Sequence, residues 1–380
     1  MPYLLTSLPP VAQGIAIAAG GPVLLWSLWS TARLAAAKRK GTDGIDLAAY
    51  GLAPRHLLDP SRSGPPEPEA VLAVQAAEGG DRRPAAALLA DAGEDWDLRW
   101  DRLAALALAA AQDGRWLAEW RAERPEDPDA AAVHAEALLR QAWAGRGGSY
   151  ARDTSADDLE RFRQLLTAAV QAAREAAALA PRDPSPWVTL VSAARGLALP
   201  HTEFRQLWDE LTARAPHHFF GHLNALQYWC AKWCGSHALA QRFADGAARS
   251  APEGSLLSVL PLQAAFERAL ARAAYTPLGG RNTPGDLDAV RDAVAAAPSD
   301  DPRLPYVRHI LAGALVVAGR GREALEQFRA VEPWVGAHPW TCHPDPAAAF
   351  DHARAVAVYR SGRWPWLLMG AARPRAKQDR

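Results

Sequence analysis

Proline residues end a series of alanine-rich, amphipathic segments at regular intervals along this chain. The pairs Ala180-Pro181, Ala215-Pro216 and Ala251-Pro252 follow one another at 35 and 36 residues, and Pro298 and Pro333 are again 35 residues apart. Each proline removes a backbone donor and restricts the residue before it, so it stops a helix. The spacing therefore predicts short helices, and an internal period of this size is typical of helical-repeat arrays.

The composition favours an all-α fold. Roughly a fifth of the 380 residues are Ala, the strongest helix former, and the alternating Val, Ile and Thr runs of β-strands are almost absent. The 42 basic and 42 acidic residues give a formal net charge of zero. That balance disfavours a dedicated nucleic-acid binder, which needs clustered positive charge. We therefore expect an all-α protein with no nucleic-acid partner.

The segment Leu304–Pro333 carries the most specific repeat pattern. Small residues allow two helices to approach, and larger apolar residues fill the seam between them. Gly319 supplies the positive φ of the turn between the helices. The seam residues are Leu311, Ala312, Leu315, Ala324 and Phe328. This segment resembles a tetratricopeptide repeat, and segments 96–125 and 185–216 resemble it more loosely. The resemblance covers roughly 69–361. It implies an α-solenoid whose concave face binds a peptide or protein, without a cofactor and without enzymatic activity.

The first forty residues carry a candidate membrane span. No charged side chain precedes Arg33, residues 11–32 are mostly apolar, and the basic run Lys38–Lys40 follows. Twenty-two residues at 1.5 Å each cover about 33 Å, close to the ~30 Å bilayer core. Because the positive charge follows the apolar run, residues 1–40 are expected to form a single-pass cell-membrane anchor, a transmembrane helix with the N-terminus outside and the repeat domain cytoplasmic. A helix packed on the soluble body is the alternative.

Proline and composition also set the expected domain boundaries. The run Gly64–Pro68 cannot be helical, so residues 41–67 are interpreted as a linker with a short helix around Leu47–Tyr50. Residues 68–370 form the expected helical-repeat domain, and residues 371–380 form a basic tail.

Two local patterns predict individual helices inside the repeat domain. Residues 155–180 are consistent with one long helix, in which Ser155 and Asp158 form a variant of the capping box. Several of the 15 tryptophans occur as i, i+4 pairs, which places each pair on one helix face; the pairs are Trp96/Trp100, Trp116/Trp120 and Trp229/Trp233. The sequence leaves two alternatives for these tryptophans, burial in the core or exposure in an aromatic groove.

The tetratricopeptide resemblance implies a binding groove, because the first helix of each pair lines the concave face in that family. With Gly235 as the turn after a helix over 219–234, and the same register in neighbouring units, the inward positions are Arg195, His222, Trp229, Lys232, Trp233, Tyr306 and His309. This set is aromatic and cationic and contains no acidic residue. It therefore favours a peptide with an apolar anchor and a carboxylate, which would give Lys232 and Arg195 a counter-charge.

A rival interpretation rests on the cluster Cys230, Cys234 and His237. On a continuous helix these residues fall at i, i+4 and i+7, on one side, and could serve a soluble metal-binding or Cys-dependent enzyme. Zinc motifs usually have two intervening residues and a tight turn, and no paired general base is evident. We expect these cysteines to be core residues, with no metal site and no catalytic residue.

Overall fold

The computed structural model describes residues 45–146, 155–271 and 284–361. Over these ranges the fold is all-α and contains no strand, as the composition predicts. The candidate span at 11–32 and the basic tail at 371–380 lie outside the described residues. The helices of the described ranges are α1 Pro68–Glu78, α2 Arg83–Asp91, α3 Trp96–Gln112, α4 Arg115–Glu123, α5 Pro128–Arg146, α6 Ala156–Leu179, α7 Ser185–Gly196, α8 His201–Arg214, α9 Phe219–Trp229, α10 His237–Ser250, α11 Leu260–Ala271, α12 Pro284–Ala296, α13 Leu304–Ala318, α14 Gly321–Val331 and α15 Pro346–Arg360.

The expected single repeat domain divides into two compact units. The larger unit comprises the described residues of Pro65–Arg268 and Asp288–Leu304. The terminal unit comprises the described residues of Met1–Gly64, Ala269–Leu287 and Pro305–Arg380. Each has its own buried apolar side chains, for example Leu103 and Leu166 in the first and Leu311 in the second.

Helix packing in the larger unit follows the chain in pairs. Neighbouring helices α5 and α6, α7 and α8, and α9 and α10 contact each other. The first helices of successive pairs also meet, because α3 contacts α5, α5 contacts α7, and α7 contacts α9. Alanines at these seams, such as Ala142, Ala169 and Ala193, let the helices approach closely. This packing is compatible with a helical-repeat protein.

The helix predicted over 155–180 is confirmed as α6. The Ser155 Oγ accepts a hydrogen bond from the Asp158 backbone N–H at 3.1 Å and donates to the Asp158 carboxylate at 2.6 Å. The N-cap thus satisfies one of the backbone donors that a helix start leaves without a partner.

The helix pair expected in Leu304–Pro333 is present as α13 and α14. Ala312, Leu315 and Phe328 are fully buried, as seam residues should be. Gly319, between the two helices, has a φ of 81°. An L-residue rarely adopts this conformation, so the turn requires glycine.

Much of the expected linker is instead part of the terminal unit. The short helix around Leu47–Tyr50 is confirmed as a 3₁₀ helix. Beyond it, Asp59 forms an isolated parallel β-bridge with Trp334. The fully buried Arg354 donates to the Ala53 carbonyl at 2.8 Å and pairs with the Glu332 carboxylate at 2.6 Å. Residues 45–64 are therefore anchored to α15 and the α14–α15 connection, because their backbone groups find partners there.

No helix within the described ranges is long and apolar enough to cross a membrane.

Candidate partner-binding site

A cluster of two arginines and three aromatic side chains forms at the ends of several helices of the larger unit. Trp143 and Arg146 lie in the last turn of α5, Phe162 lies near the start of α6, and Arg195 lies in the last turn of α7. Trp233 belongs to the turn that follows α9. We call these five residues the arginine–tryptophan cluster. C-terminal helix ends carry partial negative charge, which favours cations at these positions.

The aromatic rings of the cluster contact one another edge to face. The Trp143 ring centroid lies 5.5 Å from that of Trp233 and 5.0 Å from that of Phe162. Phe162 is buried, whereas Trp143 and Trp233 are half-buried. The two tryptophans therefore offer partly exposed ring surface on a supported apolar base.

Both guanidinium groups lie over these rings. The Arg195 Cζ is 4.5 Å from the Trp143 centroid and 5.9 Å from the Trp233 centroid. The Arg146 Cζ is 5.5 Å from Trp143, 4.9 Å from Trp233 and 5.4 Å from Phe162. All these distances are within the range of cation–π attraction, so the two arginines share these rings.

Donors in the cluster outnumber acceptors. Among the described residues, neither Arg146 nor Arg195 forms an ion pair or a side-chain hydrogen bond, and the buried Arg195 Nε and Trp143 Nε1 atoms have no acceptor. Burial lowers the pKa of Arg195 to about 10, and it also lowers the pKa of Arg146. Removing a cation from water without a hydrogen-bonded counter-ion is unfavourable. The cluster is therefore suited to an anionic group from outside.

The two acidic residues that act electrostatically on Arg195 already have partners. Glu267 is buried and accepts from Lys232 Nζ at 2.9 Å and from Gln227 Nε2 at 2.7 Å. Glu136 is buried, pairs with Arg140 at 3.0 Å, and accepts from the Thr189 hydroxyl at 3.1 Å. Burial raises the pKa of Glu136.

The expectation that this face contains no acidic residue is therefore wrong, and Lys232 has a counter-charge in Glu267. Glu267 lies on α11, which the assumed register did not include. Arg195 forms no ion pair among the described residues, although the carboxylates of Glu136 and Glu267 attract it through space.

His222 and Trp229 were expected to line an open groove but are buried in the core. His222 is 4% exposed and its Nδ1 contacts the His218 carbonyl at 2.9 Å. Trp229 is 8% exposed and meets Phe204 edge to face at 5.3 Å. Burial lowers the pKa of His222 to about 4, so it is a neutral core residue.

The helix expected over 219–234 ends five residues earlier, at Trp229. Cys230 is extended, with φ −69° and ψ 149°, and a hydrogen-bonded turn follows in which Ser236 N donates to the Trp229 carbonyl at 3.0 Å. This turn rotates Trp233 away from the face of Trp229. Trp233 consequently meets Trp143 of α5, and the i, i+4 relation with Trp229 is lost.

The same turn separates the residues of the rival cysteine cluster. Cys230 follows the end of α9, Cys234 lies in the turn, and His237 begins α10, so the three do not share one helical face. Burial raises the pKa of Cys230 to about 12. In the part of the chain that the structure describes, no group of three His, Cys, Asp or Glu side chains is placed to hold a metal ion.

Tyr306 and His309 belong to α13 in the terminal unit. His309 is fully buried, and its Nε2 lies 2.9 Å from the Ser63 carbonyl while Trp340 Nε1 donates to its Nδ1 at 3.0 Å. These contacts assign His309 to the core of that unit, which corrects its assignment to an open surface. Tyr306 is half-buried.

Trp143, Arg146 and Phe162 were missed by the sequence reasoning. They lie on α5 and α6, outside the units used to set the groove register. The available signal was the i, i+3 pair of Trp143 and Arg146 directly before a glycine-rich stretch, where a helix end is expected.

The chain matches no protein family, no curated protein and no solved structure.

Proposed function

We propose that this protein is an interaction scaffold that binds a peptide segment of a partner protein at the arginine–tryptophan cluster. Arg146 and Arg195 would receive an acidic group, and the exposed ring surface of Trp143 and Trp233 would contact an apolar side chain beside it. The observation that carries the proposal is the pair of guanidinium groups that share two tryptophan rings and form no ion pair among the described residues. Aromatic and Arg residues are also the commonest hot spots of protein interfaces.

The helical architecture supports a scaffold role. Helix pairs whose first members stack in succession are the arrangement that tetratricopeptide-like arrays use to present one face of several helices. We propose the same α-solenoid organisation here, on the packing of α3, α5, α7 and α9. In this proposal the protein has no catalytic residue and no cofactor, and nucleic acid is not a partner.

We also propose that residues 11–32 tether the scaffold to the cell membrane, with the helical units in the cytoplasm. The support is the uncharged stretch before Arg33 and the cationic run that follows it. A tethered scaffold would hold its partner close to the membrane surface.

The binding site is tested with matched arginine variants. We expect Arg195→Met and Trp233→Ala each to weaken partner capture from the native cell by about 1–3 kcal/mol. Arg214→Met is the control, because the Arg214 Cζ also lies over a tryptophan, 4.7 Å from the Trp187 centroid. Unlike Arg195, Arg214 bonds to the Pro181 carbonyl and pairs with Glu210, each at 2.7 Å.

Thermal unfolding of every variant is measured together with capture. Loss of capture in the two site variants, with the fold retained and the control intact, supports the proposal. Equal capture by all three variants, or the same loss in Arg214→Met, contradicts it.

A further inference from the structure

The positions of the two arginines indicate which kind of acidic group they accept. Arg146 approaches from the end of α5 and Arg195 from the end of α7, and both guanidinium groups lie over the same two rings, Trp143 and Trp233. The charge of Arg146 acts on Arg195, though less strongly than the carboxylates of Glu136 and Glu267 do. Because the two guanidinium groups share these rings, one ligand group that contacts both is the arrangement that we test.

A carboxylate and a phosphoryl group differ in how they fill such a site. A carboxylate has two oxygens, and one guanidinium fork engages both of them. A phosphate monoester has three terminal oxygens and a charge of about −1.5 to −2 at neutral pH, so it can bind two forks at once. The carboxylates of Glu136 and Glu267 attract Arg195 through space but do not hydrogen-bond to it. Each is already paired with another cation, Glu136 with Arg140 and Glu267 with Lys232.

The rings and the remaining donors strengthen the preference for a highly charged acceptor. Trp143, Trp233 and Phe162 exclude water from one side of the guanidinium groups, which strengthens charge interactions relative to bulk water. The cluster supplies no acceptor of its own to either arginine, and the indole Nε1 of Trp143 is a further donor without an acceptor among the described residues.

We propose that the arginine–tryptophan cluster is a phosphate monoester site, and that the partner presents a phosphorylated side chain to it. This inference rests on the proposed partner-binding function and specifies the chemistry of that site. The same chemistry would also admit a free phosphorylated metabolite, so the test separates the two sources.

Small aromatic anions test the chemistry on the full-length chain. Phenyl phosphate and phenyl sulfate share a ring and a tetrahedral group but differ in charge. We expect calorimetry to show phenyl phosphate binding at least about fivefold more tightly, the factor that one additional charge at about 4 Å contributes in a water-like dielectric. Arg146→Met and Arg195→Met should each remove this preference, whereas Arg214→Met should keep it.

Equal affinity for the two anions, or a preference unchanged in Arg146→Met and Arg195→Met, would overturn the inference. The comparison of the two anions on the wild-type chain is a test that needs no substitution and does not depend on the folding of a variant.

The source of the phosphoryl group is tested by capture from lysate with and without phosphatase treatment. Capture abolished by the treatment and by Arg195→Met supports a phosphorylated partner. Capture that survives phosphatase but is lost in Arg195→Met overturns this inference and leaves the proposed partner-binding function standing. If phenyl phosphate binds but capture resists phosphatase, the site is assigned to a free metabolite. That outcome also overturns the phosphorylated partner.

Discussion

At the scale of single residues, a core side chain differs from a binding side chain in whether its polar atoms already have hydrogen-bond partners within the chain. His309 and Arg195 were both expected on the inner face of a helix. The two ring nitrogens of His309 are matched by the Ser63 carbonyl and the Trp340 indole. The Nε atom of Arg195 is buried without an acceptor. Buried polar atoms are normally satisfied, so Arg195, with no hydrogen bond among the described residues, is assigned to the proposed site and His309 to the core.

His309 leads to a prediction about pH. Burial lowers its pKa from 6.5 to about 4. Between pH 6.5 and about 4, the unfolded chain therefore binds a proton at this residue and the folded chain does not. The stability that neutral His309 contributes is present above pH 6.5 and is lost as the pH falls toward 4. We expect the urea midpoint to fall over this range. His309→Gln should reduce the slope of the unfolding free energy against pH by up to about 1.4 kcal/mol per pH unit.

The matched control is His56→Gln, a substitution at an exposed histidine of the same unit. It is expected to keep the wild-type pH dependence. If both variants show the wild-type slope, His309 is not the group that resists protonation.

At the scale of elements, local capping and turn signals determined where helices begin and end. Ser155 marks the start of α6, and Gly319 marks the turn between α13 and α14, both as predicted. The end of α9 was missed, because its last carbonyls accept from a following turn rather than from a helical continuation. Residues 228–231 are apolar or aromatic and gave no local sign of this stop.

Substitution by Ala at Gly319 and at Gly246 is predicted to change the stability of the fold in opposite directions. A Cβ at either position would meet no atom within 4 Å, so steric contact plays no part in the comparison. Gly319→Ala should destabilise by roughly 1–2 kcal/mol, because its φ of 81° is left-handed. Gly246→Ala, in the interior of α10, should stabilise by roughly 0.5–1 kcal/mol.

Chemical denaturation of the two variants measures the change in the free energy of unfolding, and its sign, for each. The assignment of the α13–α14 turn fails if Gly319→Ala is as stable as the wild type.

At the scale of the whole molecule, the chain forms two compact units rather than one uniform repeat domain. Residues 45–64, expected as a linker, supply backbone and apolar contacts to the terminal unit through Leu52, Leu58 and Asp59. This segment forms only short 3₁₀ helices, and its remaining backbone groups pair with another part of the chain.

The proposed tether gives a prediction at this scale. Full-length protein should pellet with membranes and resist extraction by alkaline carbonate, because residues 11–32 are long enough to span the bilayer core. Deletion of residues 1–40 should release the protein into the soluble fraction. Full-length protein that stays soluble would contradict the tether and favour a helix packed on the soluble body.

The sequence by itself determined the fold class, the long helix α6, the 3₁₀ helix at Leu47–Tyr50 and the α13–α14 pair. These depend on propensity, caps and stops, which act over a few residues. Only the tertiary structure decided which side chains meet. Trp143, Arg195 and Trp233 lie 38 to 90 positions apart in the chain, and they converge because the ends of α5 and α7 and the turn after α9 are adjacent. Contacts of that kind depend on helix packing, which residue spacing alone does not specify.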